Sequence, residues 1–303
     1  ASVRRNHRRL RHGNDAVEDA LEPVWRFGVM FGLAIFFGCV VGFALGLTGG
    51  GGGVFAVPLL VYGMSIAPRE AVGISLASVG GTALFGAIPR LLHGDVELRT
   101  GLLFAIAGMI GAPVGAYLSK LIPEQVLLVM FALLMFVVAS RMWSKAKNPS
   151  IASGMCVTES QPGSDRSACQ RDEDGTLRLT SKCARLLLFI GLLTGVLSGM
   201  FGVGGGFVIV PALVLFSGMA IHEAVATSLF VIVLVSVSGV ASHLAAGNPL
   251  TLDVAIQFMI GGFAGMWAGG IVAKHLKGST LQKTFSVAVV MVAMFVIFKS
   301  VVL

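Results

Sequence analysis

The stretch GLTGGGGGVFAVPLLVYGM, from Gly46 to Met64, places five consecutive glycines directly before an apolar run. A closely related stretch, GMFGVGGGFVIVPALVLFSGM, returns from Gly199 to Met219. Glycine costs about 1 kcal/mol per residue relative to alanine inside a helix. Each cluster is therefore predicted to break a helix, and the apolar run that follows is predicted to restart one.

The composition places these segments in a membrane. Of the 303 residues, 55% are hydrophobic and 12% are charged, and the mean hydropathy is +0.88. A soluble domain carries about 25% charged residues, whereas apolar runs of about 20 residues span a bilayer as helices. The sequence predicts an all-α polytopic protein, integral to the membrane and multi-pass. Whether that membrane is the plasma membrane or an organelle membrane is left open.

The net charge of +7 does not indicate a nucleic-acid partner. The basic residues flank apolar runs, as the positive-inside rule places them, and the opening RRNHRRLRHG has no interleaved aromatic residues. We interpret this arm as a topology signal or a lipid-facing tail. The predicted partners are the lipid bilayer and a small anionic substrate, with no nucleic acid; a homo-oligomer is left open.

Ten apolar runs follow one another along the chain, in two groups of five. In each group one run, residues 53–64 or 206–219, follows a glycine cluster and is too short to span comfortably. A polar segment without apolar periodicity separates the groups and is predicted to be a flexible linker. The predicted organisation is a basic N-terminal arm at 1–26, a first transmembrane repeat at 27–143, the linker at 144–183 and a second transmembrane repeat at 184–303.

The two groups repeat each other at a constant offset of 153 residues, as between Gly46 and Gly199. Such an internal duplication in a membrane protein is typical of a transporter. Each half is predicted to hold about four full spans and one short broken or re-entrant helix. The offset pairs Gly49 with Gly202, Gly51–Gly53 with Gly204–Gly206, Pro58 with Pro211, Ser75 with Ser228, and Arg90 with His243.

The orientation of the repeat depends on the two short runs. If they cross the membrane, each half has five spans and the repeat is inverted; if they dip in and return, each half has four and the repeat is parallel. The parallel arrangement keeps the N-terminal arm, Arg90, Arg99 and the basic region 141–185 on one face. The positive-inside rule therefore favours four spans per half and a parallel repeat.

The glycine clusters are the predicted substrate site. Irregular backbone survives at membrane depth only when it is buried in protein or faces a watery cavity. A restarted helix offers unpaired N–H groups and a positive dipole end, which suit an anion. Close helix packing is the competing interpretation, which we prefer for the motifs GMIGAPVGA and GGFAGMWAGG. The residues predicted to contact substrate are Gly49, Gly50, Gly51, Gly52, Gly53, Gly202, Gly204, Gly205, Gly206, Ser75 and Ser228.

Two further repeated pairs are candidates for gating or anion attraction. Pro58 and Pro211 lie about a turn into the restarted helices, where proline bends a helix. Arg90 and His243 lie near the ends of the following spans, where they could attract an anion, with His243 titratable near neutral pH. For Arg90 and His243 we prefer the alternative of a side chain that reaches from a helix end toward the interface; for the two prolines, the alternative to gating is a bend alone.

Other chemistry finds little support in the residues. No carboxylate lies in the middle of an apolar run, although cation transporters usually need one there, so an anion or a neutral substrate is favoured. No nucleophile–base pair, metal-ligand cluster or cofactor motif is visible, which predicts a protein that is not an enzyme and holds no metal or cofactor. The four cysteines form no C-x-x-C pair and are interpreted as free thiols.

The phrases GLTGGGGGVFAVPLL and GMFGVGGGFVIVPAL, one opening each half, resemble the sulfite exporter TauE/SafE family. The resemblance covers about residues 27–143 and 184–302. It implies a multi-span carrier built by duplication that acts on sulfite, organosulfonates or related sulfur compounds, with export as the expected direction. The linker and the basic arm are additions to the family's compact pattern.

Together these observations predict a secondary membrane transporter of a small anion, with sulfite, an organosulfonate or a related sulfur compound as its substrate. The alternative is a non-transporting membrane scaffold or accessory subunit that recruits a partner through the central polar loop.

Overall fold

The computed structural model of the chain describes residues 30–147, 170–171, 177–178, 181–214, 219, 221–248, 250–273, 287, 289–296 and 298–299. Nearly all of these residues are helical. The helices of the first half are α1 (Met30–Thr48), α2 (Gly53–Pro58, continued by a π-helical turn at Leu59–Gly63), α3 (Pro68–Leu92), α4 (Leu98–Leu121) and α5 (Glu124–Lys147). Those of the second half are α6 (Ser181–Phe201), α7 (Gly206–Ala212), α8 (Ile221–Ala245) and α9 (Leu252–Ala273), followed by helical residues 289–296.

Six of these helices are long and apolar enough to cross a membrane: α1, α3, α4, α6, α8 and α9. Their outward faces carry large apolar side chains; Trp267 on α9, for example, is 76% exposed. A face of this kind is stable against lipid rather than water. The predicted all-α, multi-pass integral membrane protein is confirmed.

Helices α3 and α8 form the centre of the bundle and run antiparallel. A Cβ built on Gly73 would lie 2.5 Å from His243, and one built on Gly80 would lie 2.5 Å from Ser236 Cβ. As the residue number rises along α3, it falls along α8. Glycine at both positions lets the two helices approach closely, as small residues do at membrane helix interfaces.

Two glycine seams join the helices around this centre in pairs, α1 with α9 and α4 with α6. On α1, Cβ atoms built on Gly38 and Gly42 would meet the carbonyl oxygens of Phe258 and Gly262 at 2.1 and 2.0 Å. The motif GGFAGMWAGG of α9 therefore packs on α1. The motif GMIGAPVGA of α4 packs on α6 in the same way, since a Cβ on Gly115 would lie 2.0 Å from the Val196 carbonyl oxygen. The packing role predicted for both motifs is confirmed.

Contacts across these interfaces fix the direction of each helix. Residue numbers rise together between α1 and α9, between α3 and α9, between α4 and α6, and between α4 and α8. Helices α1, α3 and α9 thus run one way, and α4, α6 and α8 run the other way. Helices related by the 153-residue offset point in opposite directions, so the parallel orientation favoured by the charge pattern is wrong.

The segment between α1 and α3 explains why the repeat is inverted and not parallel. Because α1 and α3 run in the same direction, residues 49–67 must carry the chain back between them. The restarted helix does so by folding along α1: a Cβ on Gly52 would lie 2.4 Å from Leu45 N, and one on Gly63 would lie 2.4 Å from Phe37. A short helix and a few non-helical residues together replace a full span, which a hydropathy threshold does not register.

The polar segment between the halves contributes two short described strands, Gln170–Arg171 and Leu177–Arg178, which pair antiparallel. Its predicted flexibility lies outside the described residues. Cys183, at the start of α6, is disulfide-bonded, so the free-thiol interpretation is wrong for this residue. Cys39 is a free thiol.

Candidate functional site

Both glycine clusters break a helix, as predicted. Helix α1 ends at Thr48 and α2 begins at Gly53; α6 ends at Phe201 and α7 begins at Gly206. Gly49 has a φ of 74°, and Gly202, Gly204 and Gly205 have φ values of 72°, 67° and 70°. Only glycine adopts this left-handed region without a steric cost, so these four positions require it.

The two breaks contact each other inside the bundle. A Cβ built on Gly50 would lie 2.6 Å from the carbonyl oxygen of Gly206, and one on Gly53 would lie 2.3 Å from that of Val203. These residues are buried. The two clusters therefore meet, with backbone packed directly on backbone. Substrate contact by the predicted glycines stays a prediction.

Ser75 and Ser228 bind the breaks across the two halves. The Ser75 hydroxyl donates to the Gly202 carbonyl at 2.5 Å, and the Ser228 hydroxyl donates to the Gly49 carbonyl at 2.8 Å. Both serines are fully buried. Gly49 and Gly202 are the first residues after α1 and α6, where the last carbonyls of a helix lack partners. These serines hold the breaks; direct contact with substrate by either stays a prediction.

Thr48 is a site residue that the repeat does not reveal, because its counterpart at the 153-residue offset is Phe201. Its hydroxyl donates to the Ala44 carbonyl at 2.7 Å and accepts from the Gly51 N–H at 2.9 Å. The first break is thus closed by a side chain of its own helix. A threonine directly before the glycine run is the only signal in the sequence.

Pro58 and Pro211 lie in the restarted helices, as predicted. Pro58 is the last residue of α2, and the helix continues beyond it as a π-helical turn. Proline removes a backbone donor and disturbs the helical hydrogen-bond pattern, and π-turns are frequent at functional sites. The bend expected at Pro58 stays a prediction. Pro211 lies within α7, and a gating role for either proline stays a prediction.

Arg90 and His243 lie at opposite ends of the antiparallel pair. Arg90 is in the last turn of α3, and His243 is in the last turn of α8. Arg90 Nη1 and His243 Nε2 are both buried without a hydrogen-bond partner. His243 is 3% exposed, and its Nδ1 lies 3.4 Å from Asn248 Nδ2. The structure thus separates this predicted pair by the length of the central helices.

Polar contacts between the halves surround the His243 end of the bundle. Lys120 Nζ donates to the Ala246 carbonyl at 2.6 Å, and the Thr251 hydroxyl donates to Glu70. Arg69 joins the ends of α3 and α5, with its Nε 3.7 Å from Glu124 Oε1. The Lys120 and Thr251 contacts tie the two halves together at this face, and the Arg69 contact joins α3 to α5 within the first half. Within the described residues, no group of three or more His, Cys, Asp or Glu could hold a metal ion.

The chain is similar in sequence to known membrane transporter proteins. The family described as "Sulfite exporter TauE/SafE" matches residues 34–296. A "Probable membrane transporter protein" of Xylella fastidiosa is 33% identical over 269 residues, covering 87% of this chain and 93% of that protein. The "Probable membrane transporter protein YunE" of Bacillus subtilis is 27% identical over 278 residues, covering 89% and 98%. No solved structure matches significantly.

Proposed function

Because the chain belongs to the sulfite exporter TauE/SafE family of membrane transporters, we propose that it is a secondary carrier of a small anion, with sulfite, an organosulfonate or a related sulfur oxyanion as substrate and export as its direction. A transporter family is not an enzyme class. The observation that carries the proposal is the contact between two helix breaks, one from each half, in the middle of the bundle.

The break region suits a transported substrate because it lies between the halves. Transporters commonly place their substrate at discontinuous helices where two repeats meet. Here the Ser75–Gly202 and Ser228–Gly49 bonds join one half to the other at the breaks. Rocking one half against the other would strain or break these bonds, since each has its donor and acceptor in different halves.

The charge distribution supports an anion. Among the described residues, no Asp or Glu lies within the α3–α8 interface between Arg90 and His243. Buried carboxylates mark cation paths and proton relays in membrane proteins. The interface instead has a cationic guanidinium at one end and an imidazole at the other. An anion that moves along α3 and α8 therefore meets a nitrogen donor at either face.

The test is flux into proteoliposomes that contain the purified full-length protein. We expect saturable uptake of radiolabelled sulfite, or of a small sulfonate, above protein-free vesicles. Uptake with and without an imposed pH gradient reports coupling to protons. The uptake of radiolabelled sulfate is measured in the same way, as that of an oxyanion of similar size. No flux of any of the three anions from folded protein would overturn the proposal.

The direction is tested separately. Cells that lack the protein and cells that produce it are loaded with a sulfur oxyanion, and its release is followed. Faster release from the producing cells supports export. Faster accumulation from the medium, with no change in release, would assign uptake instead.

A further inference from the structure

We propose that the substrate oxyanion binds at the second break, beside Gly204 and Gly205, where the hydroxyls of Ser198 on α6 and Ser236 on α8 donate hydrogen bonds to it. The inference rests on the proposed function and makes it more specific: of two breaks that are related by the sequence repeat, only the second is built to bind.

The first observation concerns hydroxyls that bond to nothing. Serine and threonine in membrane helices usually donate to a backbone carbonyl of their own helix or to a neighbour. Ser78, for example, donates to the Ile74 carbonyl at 2.6 Å. Ser198 and Ser236 are 0% and 2% exposed, and neither Oγ has a hydrogen-bond partner. A buried donor that is left unpaired is costly, so these two hydroxyls point to a ligand.

The second observation is where these side chains lie. A Cβ built on Gly204 would be 3.8 Å from Ser236 Oγ, and one built on Gly205 would be 3.5 Å from Ser198 Cβ. The two hydroxyl-bearing side chains therefore flank consecutive residues of the same break. They come from α6 and α8, so both approach the break from helices that frame it.

The third observation is looser packing at two glycines. At Gly204 and Gly205 the nearest atom to a built Cβ is 3.3 and 3.4 Å away, respectively. At Gly49, Gly50 and Gly53, in the first break, the nearest atom lies at 2.3, 2.6 and 2.3 Å. Gly202 and Gly206 of the second break are equally tight, at 2.6 and 2.5 Å. Gly204 and Gly205 are therefore less tightly packed than these five glycines, and an oxyanion beside them requires neighbouring side chains to shift.

The fourth observation is the asymmetry of the repeat. At the 153-residue offset, the counterparts of Ser198 and Ser236 are Leu45 and Ala83. Hydroxyls thus stand beside Gly204 and Gly205, and apolar side chains stand at the matching positions of the first break. Packing alone gives no reason for this difference, since both breaks lie in the same core.

The site also continues toward one face. His243 follows Ser236 by two helical turns on α8, and both side chains lie against α3, at Gly73 and Gly80 respectively. His243 Nε2 is likewise buried without a partner. An oxyanion that leaves the hydroxyls of the second break and moves along α8 toward this face therefore meets the unpaired His243 Nε2 next.

The test is anion-dependent thermal stabilisation of the purified full-length protein in detergent, with sodium sulfite, sodium sulfate and sodium methanesulfonate as probes and sodium chloride as the ionic-strength control. We expect at least one oxyanion to stabilise the wild-type protein saturably. Ser198→Ala and Ser236→Ala should each weaken the apparent Kd about ten- to a hundred-fold, as loss of a hydrogen bond to a charged group does. Without anion, their Tm should not fall below the wild-type value, because neither hydroxyl bonds to the protein and its removal relieves an unpaired buried donor.

Ser78→Ala is the matched control, since it removes a buried hydroxyl that is already bonded within its own helix; its Kd should not change. Wild-type Kd in both Ser198→Ala and Ser236→Ala would overturn the binding site, even if the wild-type protein carries anions. Binding that is lost in these variants, without flux in proteoliposomes, would keep the site and overturn the carrier. No stabilisation of the wild-type protein by any oxyanion would overturn the site.

Discussion

Ser75 and Gly202 lie in different halves of the chain, 127 residues apart, and the serine hydroxyl donates to the glycine carbonyl at 2.5 Å. The same contact recurs with the halves exchanged, from Ser228 to Gly49 at 2.8 Å. Each half therefore supplies the group that satisfies the broken helix of the other. Each of these hydrogen bonds can therefore form only after the two halves have packed together.

Removal of either serine hydroxyl should destabilise the protein. Ser75→Ala and Ser228→Ala each leave a buried carbonyl unsatisfied, which costs about 1–3 kcal/mol. The loss should be larger for Ser75→Ala, because the Ser228 hydroxyl already shares its proton with the Val225 carbonyl, also at 2.8 Å. Thermal unfolding in detergent measures both. An equal loss in Ser78→Ala, whose hydroxyl bonds within α3, would contradict a special role for the cross-half bonds.

A methyl group at Gly50 should abolish transport. Its Cβ would lie 2.6 Å from the Gly206 carbonyl oxygen, so Gly50→Ala must force the two breaks apart, and a close-packed interior has no room to absorb the shift. Flux of sulfite into proteoliposomes measures the effect. Gly32→Ala is the control, because nothing lies within 4 Å of a Cβ at that position on α1. Wild-type flux in Gly50→Ala would show that contact between the breaks is dispensable.

Two neighbouring glycines of α9 offer a direct test of the glycine seam. A Cβ on Gly269 would lie 2.4 Å from the Phe43 carbonyl oxygen, whereas one on Gly270 meets nothing within 4 Å. Gly269→Leu should therefore separate α9 from α1 and cost at least about 1–3 kcal/mol, as overpacking does. Gly270→Leu should leave the unfolding temperature and the yield of monodisperse protein near the wild-type values. Similar losses in both variants would argue against backbone approach as the function of the seam.

The charge on Arg90 should matter for anion capture. Arg90→Met removes a cation whose Nη1 is buried without a partner at the end of α3, and we expect KM for the transported anion to rise about ten-fold, the effect of roughly 1.4 kcal/mol. Arg90→Lys should restore part of the loss because it keeps the charge. Arg99→Met, at an exposed position on α4, controls for net charge. An unchanged KM in Arg90→Met would leave this arginine with an interfacial role only.

Much of this architecture could be predicted from the sequence, for physical reasons. Runs of three to five consecutive glycines strongly disfavour a helix, so both breaks were predictable, and small residues four apart predicted the two seams. The cross-half bonds of Ser75 and Ser228 could not be predicted, because their acceptors are carbonyls that any residue carries. Ser198 could not be singled out either, because the feature that distinguishes it is a buried hydroxyl without a hydrogen-bond partner.

The direction of the repeat was predicted wrongly because a count of charges does not show that residues 49–67 carry the chain back across the bundle.

The directions of the helices predict which face each end of the first half reaches. Since α1 and α5 begin at the same face of the bundle, the start of α1 and the end of α5 lie on opposite faces. That α5 begins there follows from Glu124, which lies beside Arg69 at the start of α3. Single cysteines placed at Met30 and at Lys147 in a cysteine-free background should react with a membrane-impermeant maleimide from opposite sides of the membrane. The labelling of each position is compared between sealed vesicles of the two membrane orientations, and Cys39 is replaced by alanine in every variant. Labelling of both positions from the same side would restore the parallel repeat and overturn the antiparallel pairing of α3 with α8.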